Sequence, residues 1–216
     1  MQVEIWSDVV CPWCAIGRAR FERALDGFTH RDAVTVRYRS FELDPTTPRI
    51  VDGPYVERLA SKYGTTVVAA QTMIDQMTAQ AAGEGLVFDF AAARPGNTFD
   101  AHRLLHLAAD RGMQHEVKAR LQAGYLSEGA AIGTADALHA LATAAGLDAA
   151  EVDDVLGGDA YAEAVRADER QAQAYGITGV PFFVFDRRLG VAGAQPADVL
   201  AQALTQAWEA STDALG

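Results

Sequence analysis

Apolar and polar positions change period twice along this chain. Residues 2–7 form a short, mostly apolar run that reads as a strand, and residues 12–27 place Ile16, Ala19, Phe21, Ala24, Leu25 and Phe28 at helical spacing. Residues 34–39 alternate and are rich in β-branched side chains, which predicts a second strand. Strand, helix and strand at this length predict a right-handed parallel βαβ unit. From Pro54 to about Tyr175 the period becomes helical and the composition Ala-rich. Helices are expected near 54–63, 66–82, 98–111, 113–128, 134–145, 148–156 and 159–175, punctuated by Gly64, Gly112, Gly133 and Gly146. Strand signals then return at 180–185 and 189–194, joined by a turn at Asp186-Arg187-Arg188, and Pro196 opens a last helix to about Ala210. The order predicts an α/β fold. Residues 1–45 and 176–216 share one sheet, and 46–175 form an all-helical insertion between them.

The chemistry concentrates where the first strand meets the first helix. Cys11-Pro12-Trp13-Cys14 holds the only two cysteines of the chain. A helix N-terminus offers partial positive charge and free N–H groups, so a thiolate there is stabilised. Two intervening residues let the second sulfur fold back on the first and release a mixed disulfide. Pro12 suits the first helical position, which needs no N–H. Cys11, outermost on the helix, is the expected nucleophile. Cys14 is the expected resolving thiol, more buried and harder to ionise. A purely structural disulfide across so short a loop would remove little chain entropy.

Charge narrows the partners. Acids outnumber bases 29 to 18, a net charge of −11, and no Lys/Arg run offers a phosphate-binding stripe. Nucleic acid and an anionic membrane surface are therefore not expected partners. No apolar stretch reaches transmembrane length, and Glu4 and Asp8 interrupt the segment a secretory leader would need. A cytoplasmic setting is expected unless a leader has been removed, and in a reducing compartment a Cys pair points to catalysis or metal binding.

The segments 7–17 (Ser-Asp-Val-Val-Cys-Pro-Trp-Cys-Ala-Ile-Gly) and 176–185 (Gly-Ile-Thr-Gly-Val-Pro-Phe-Phe-Val-Phe), with Gly193-Ala194-Gln195-Pro196, carry a family resemblance. Asn97-Thr98 and Ala101-His102-Arg103-Leu104 add to it. Together they resemble the thioredoxin fold with a helical insertion of the DsbA family. The FrnE-like branch is the closer match, related to 2-hydroxychromene-2-carboxylate isomerases and kappa-class glutathione transferases. The resemblance implies a cis-proline element at Val180-Pro181 facing the cysteines, where the Val180 backbone would pair with an extended substrate. It also implies a thiol–disulfide oxidoreductase with no tightly bound cofactor. The redox group would be the Cys11–Cys14 disulfide, with glutathione or another small thiol as a co-substrate. Strongly oxidising DsbA proteins have a His between the cysteines; Pro12-Trp13 has none, so a less acidic nucleophile and a less oxidising pair are expected.

Other residues carry two readings each. Asp8 is a proton acceptor for Cys14 if it points beneath the helix, but a solvated strand-end acid is the commoner case. Trp13 belongs to a docking surface or packs on the insertion. Asn97 caps the following helix or, by the family likeness, contacts substrate. His102 and His106, at i,i+4, match two ligands of a zinc set with Cys11 and Cys14, but the redox context outweighs that. The favoured placement has His102 facing the cleft and His106 packed or solvated, with His30, His115 and His139 at the surface. Gly179 is expected to permit the turn before Pro181. Phe182, Phe183 and Phe185 read as core strand residues, and Met73 and Met77 as core.

Protein or peptide thiols and disulfides, or small thiols, are the expected partners of a monomer or homodimer. The alternatives are a glutathione-dependent isomerase or transferase, whose relatives typically carry Ser at the first Cys position, and a redox-independent chaperone.

Overall fold

The computed structural model describes residues 1–213, so the last three residues of the 176–216 segment lie outside the described residues. Four strands form one mixed sheet: β1 (Gln2–Ser7), β2 (Thr35–Ser40), β3 (Phe182–Phe185) and β4 (Leu189–Ala192), in the order β2-β1-β3-β4. β1 and β2 run parallel, with Gln2 opposite Thr35 and Ser7 opposite Ser40. The other two pairings, β1 with β3 and β3 with β4, are antiparallel. Helix α1 (Pro12–Asp26) connects β1 towards β2, with a single 3-10 turn at Arg31–Ala33 on the way. Between β2 and β3 lie α2 (Tyr55–Tyr63), α3 (Val67–Gly83), α4 (Phe99–Asp110), α5 (Gln114–Glu128), α6 (Ala135–Ala144), α7 (Ala149–Gly157) and α8 (Ala162–Ala174). Helix α9 (Ala197–Asp213) follows β4. This is the thioredoxin-like architecture with a large helical insertion.

Strand alternation decides what each face of the sheet meets. Val3, Ile5, Phe183 and Phe185 pack with Phe21 and Ala24 of α1 and Leu200, Ala203 and Leu204 of α9. Trp6 and Val184, on the opposite face, pack with Ala172 of α8 and with Ile177 in the loop after it. The third core lies inside the insertion, and Val9, Ala15 and Ile16 extend it to the cysteine motif. The N-terminal turn of α1 therefore sits where sheet and insertion meet.

Phe183 and Phe185 are fully buried as expected, while Phe182 is half-buried against Gly190. Helix α5 ends at Gly129, whose φ of 70° is the left-handed conformation glycine tolerates best, rather than at Gly133. Gly133 serves a different need. A Cβ there would overlap the Arg49 carbonyl oxygen, so the loop after α5 lies against the 48–51 backbone. Gly133→Ala is expected to cost about 1–3 kcal/mol by overpacking, read as a lower urea midpoint at unchanged slope.

Candidate active site

Cys11 is the N-cap of α1 and Pro12 its first residue; the Cys11 carbonyl accepts from the Cys14 and Ala15 N–H groups at 3.1 and 3.3 Å. Both cysteines are free thiols. They are 4% and 2% exposed, so the expected contrast in burial is small. What separates them is access: Cys11 lines a cavity of about 790 Å³ and Cys14 does not. The Cys11 thiol points at the Val180 carbonyl at 3.8 Å. Burial, and then the neighbouring Cys11, pushes the Cys14 thiol well above its usual range; the charge of Lys118 and the Asp8 backbone partly oppose this.

Pro12, Trp13 and Val180 line the same cavity. Trp13 is 36% exposed there, which places it at the cavity edge rather than inside the insertion core. The Val180–Pro181 bond is cis, Pro181 is buried, and its carbonyl accepts from Gly193 N–H at 2.8 Å. α1 approaches this segment through Gly17, where a Cβ would stand 2.9 Å from the Pro181 ring. The cavity's far wall comes from the insertion: Tyr55, Arg58 and Lys62 of α2, and Met73, Gln76, Met77 and Gln80 of α3.

Several sequence expectations are corrected. Asp8 is not a solvated acid; it is 1% exposed. Its Oδ2 accepts from Leu43 N–H at 2.8 Å, and its Oδ1 lies 3.3 Å from His102 Nε2. Burial would raise this carboxyl, but the hydrogen bond and charge of His102 and the Leu43 N–H outweigh it, so it stays below the usual range. His102 does not face the cleft. It is fully buried against Asp8, in the first turn of α4, and is not part of the cavity lining. His106 packs against Asp168 (3.1 Å) and Ser40 (3.2 Å). The two histidines thus serve separate aspartates, and among the described residues no three His, Cys, Asp or Glu side chains converge as a metal set. His30 and His115 are exposed, and His139 is half-buried.

Asn97 braces the loop before α4. Its Oδ1 accepts from Phe99 N–H at 2.9 Å, and its Nδ2 reaches Pro45 O and Glu42, so it lies outside the cavity lining while Gly96 and Thr98 belong to it. Gly179 has no left-handed φ and open space around its Cα, so this turn requires no glycine freedom. Met73 and Met77 pack on the insertion core and also line the cavity, which extends their expected role.

A family model described as the DSBA-like thioredoxin domain matches residues 2–205. The chain belongs to the DsbA-like thioredoxin family. Among solved structures, this DsbA-family chain is similar to a probable DsbA oxidoreductase from Streptomyces coelicolor, at 51% identity and a TM-score of 0.92, covering 97% of this chain and 90% of that one. It is 30% identical to the uncharacterised YwbO of Bacillus subtilis, covering 95% of this chain and 96% of that protein. The cytosolic disulfide reductase DsbM of Pseudomonas aeruginosa, solved with GSH, shares the fold at 22% identity and a TM-score of 0.65, covering 95% and 98% of the two chains.

Two parts of the DsbA-family site escaped sequence reasoning. The cavity wall from α2 and α3 depends on how the insertion folds over the motif. Lys118 is 1% exposed and its Nζ has no hydrogen-bond partner among the described residues. A signal for it existed: Gln114, Val117, Lys118, Leu121, Gln122 and Tyr125 form one helical stripe, and a lysine inside such a stripe is out of place.

Proposed function

We propose that this protein is a thiol–disulfide oxidoreductase that exchanges a Cys11–Cys14 dithiol or disulfide with substrate through a mixed disulfide on Cys11. The observation that carries this reading is the asymmetry of the two thiols, with Cys11 opening onto the cavity at a helix N-terminus and Cys14 enclosed beneath it. A substrate sulfur can reach Cys11, and only an internal attack can use Cys14. The Cys11 thiolate attacks a substrate disulfide and expels one thiolate. Cys14 then attacks Cys11 Sγ, closing the protein disulfide and releasing the second.

The partners proposed are protein or peptide thiols and small thiols such as glutathione, with no resident cofactor beyond the redox disulfide. A cavity of this volume suits a small molecule or a peptide side chain. Its wall carries Arg58 and Lys62 together with Asp8 and Asp44, so it offers partners to both charged ends of a peptide or small thiol. No helix among the described residues is long and apolar enough to cross a membrane. A cytoplasmic setting is the location proposed, and a monomer or homodimer the assembly.

Cys14→Ser tests the mechanism. Incubated with oxidised glutathione or with a disulfide-containing peptide, it is expected to accumulate a stable mixed disulfide on Cys11, seen as the added mass on the intact protein. No adduct with either substrate, while Cys11 remains alkylatable after denaturation, would remove Cys11 as the nucleophile. Conjugation or isomerisation activity with added glutathione in place of exchange would favour the isomerase or transferase reading.

A further inference from the structure

Tyr55, Arg58 and Tyr125 line the cavity with hydrogen-bond donors that no described residue accepts from. Tyr125 of α5 is 2% exposed. Its unpartnered hydroxyl is not among the fully enclosed atoms, so the little of Tyr125 that is open faces the cavity. Tyr55 and Arg58 belong to α2, where Tyr55, Arg58, Leu59 and Lys62 recur at helical spacing and all line the cavity. Both are half-buried, and neither the Tyr55 hydroxyl nor the Arg58 guanidinium has a partner among the described residues. The segment after α3 holds the two helices near each other. The Tyr55 ring lies on Phe90, 4.8 Å between centroids, and Asp89 N–H donates to the carbonyl of Leu126, the residue after Tyr125, at 2.7 Å.

Other arginines at similar depth are used within the protein: Arg18, Arg20 and Arg39 are half-buried and each holds a carboxylate. The acids of the cavity wall are also met. Asp8 is enclosed, with Leu43 N–H on one oxygen and His102 Nε2 on the other. Asp44 is exposed and accepts from the N–H and hydroxyl of Thr46, so an ammonium group finds its acid at the rim rather than inside. Burial, and then the charge of Cys11, raises the Tyr55 phenol to about 12; burial, and then Tyr55, raises Tyr125 as well, and the Arg58 charge opposes both. Both phenols therefore stay protonated at neutral pH and donate. Donors withdrawn from bulk water in this way are costly unless a ligand supplies the acceptor.

We propose that Tyr55, Arg58 and Tyr125 form a subsite for a carboxylate carried by the same molecule as the reacting sulfur. This rests on the oxidoreductase reading and names the class of its substrate, the disulfides of thiol acids or of acidic peptides. A carboxylate has one negative charge and about four lone-pair sites on its two oxygens, which match one guanidinium fork and two hydroxyls. A phosphate dianion would leave half of its charge without a cation in this set. Cys11 opens onto the same cavity, so a substrate seated by its carboxylate between α2 and α5 brings its sulfur into the space that Cys11 lines. The subsite makes and breaks no bond: the Cys11 thiolate attacks the substrate disulfide and one substrate thiolate leaves with the electron pair, as above. What the subsite sets is how firmly and in which orientation the disulfide is held, so it selects among disulfides of equal reactivity.

The test pairs dithiodipropionate with its uncharged diamide, disulfides that differ only in the carboxylates. Reduced protein is mixed with each and the second-order rate of dithiol oxidation is followed. Each rate is divided by that of free dithiothreitol, which removes intrinsic reactivity. The wild type is expected to prefer the dicarboxylate by about tenfold or more. Arg58→Gln and Tyr125→Phe should each cut that ratio by about threefold or more, and Arg58→Lys, which keeps the charge but not the fork, should give an intermediate ratio. The ratio is read within each variant, so a general loss of packing does not move it. If Tyr125→Phe fails to fold, Tyr55→Phe removes a hydroxyl from a half-buried position and reads the same ratio. A second pair, a disulfide-linked peptide with Glu beside its cysteine and the same peptide with Gln there, separates the sources. Preference confined to the small pair supports the subsite and assigns it to thiol acids; preference in the peptide pair supports it and assigns it to acidic peptides. A wild-type ratio near one for both pairs would overturn the inference. So would a ratio that survives Arg58→Gln, because the cation would then lie elsewhere. Oxidation by no disulfide at all would instead sink the oxidoreductase reading.

Discussion

Cys11→Ser is expected to abolish disulfide exchange outright, measured as insulin reduction by turbidity or as thiol transfer to a small disulfide. The reason is chemical rather than steric. Serine fits the same N-cap position, and the Cys11 backbone contacts to Cys14 and Ala15 need no sulfur. An oxygen there cannot form a disulfide, so neither the mixed nor the internal disulfide is available. Cys14 cannot substitute, being 2% exposed, outside the cavity lining and held well above the normal thiol range by burial. The variant should fold and melt like the wild type. Retained turnover in folded protein would mean that the exchanging sulfur is not Cys11. Unchanged suppression of aggregation by the same variant would instead favour a redox-independent binding role.

Asp168→Ala is expected to cause a large loss of stability, about 3 kcal/mol or more. Asp168 is 3% exposed on α8 and joins three groups: Arg39 at 2.9 Å, the Ser40 N–H at 2.9 Å and His106 at 3.1 Å. Its backbone carbonyl accepts from the Trp6 indole at 3.0 Å, so this one residue ties α8 and α4 to β1 and β2. Alanine leaves the Ser40 N–H short of an acceptor and His106 Nε2 with only the Ser40 hydroxyl at 3.2 Å, while Arg39 keeps Glu4 at 2.8 Å. A loss below about 1 kcal/mol in urea unfolding would show that the network contributes only like a surface ion pair. The same carboxylate sets a pH dependence. Burial raises it, but His106, the Ser40 N–H and Arg39 outweigh this, so the folded value lies below the unfolded one. Its contribution is complete above the unfolded carboxylate value of about 3.9 and is lost as pH falls through the folded value. Asp8 has the same sign. Urea midpoints of the wild type should therefore fall on acidification below about pH 4, and Asp168→Asn should flatten part of that fall.

Much of the architecture was legible because it is written in local period. The elements from β1 through β4 appear within a few residues of their expected bounds, since a change from alternation to 3.6-residue spacing needs no tertiary information. The Cys-x-x-Cys pair at a strand–helix junction was legible for the same reason: its chemistry lies in four consecutive residues and the helix end they occupy. Asp8, His102, Asn97, Gly179 and Lys118 were not. A sequence says that Asp8 is a carboxylate beside a strand end. Only the fold shows that Leu43 and His102, 35 and 94 residues away, supply its donors and so permit its burial.

By itself, then, the sequence determined the order of elements and the place of the Cys-x-x-Cys pair at a helix N-terminus, both properties of neighbours along the chain. The tertiary structure decided which polar groups are enclosed and what each one faces. That division follows from the physics. Periodicity and helix-end electrostatics act over a few residues, whereas desolvation and hydrogen-bond pairing depend on which distant segments pack together, and it is these that lower the Asp8 carboxyl, raise the Cys14 thiol and leave Lys118 Nζ without a hydrogen-bond partner among the described residues.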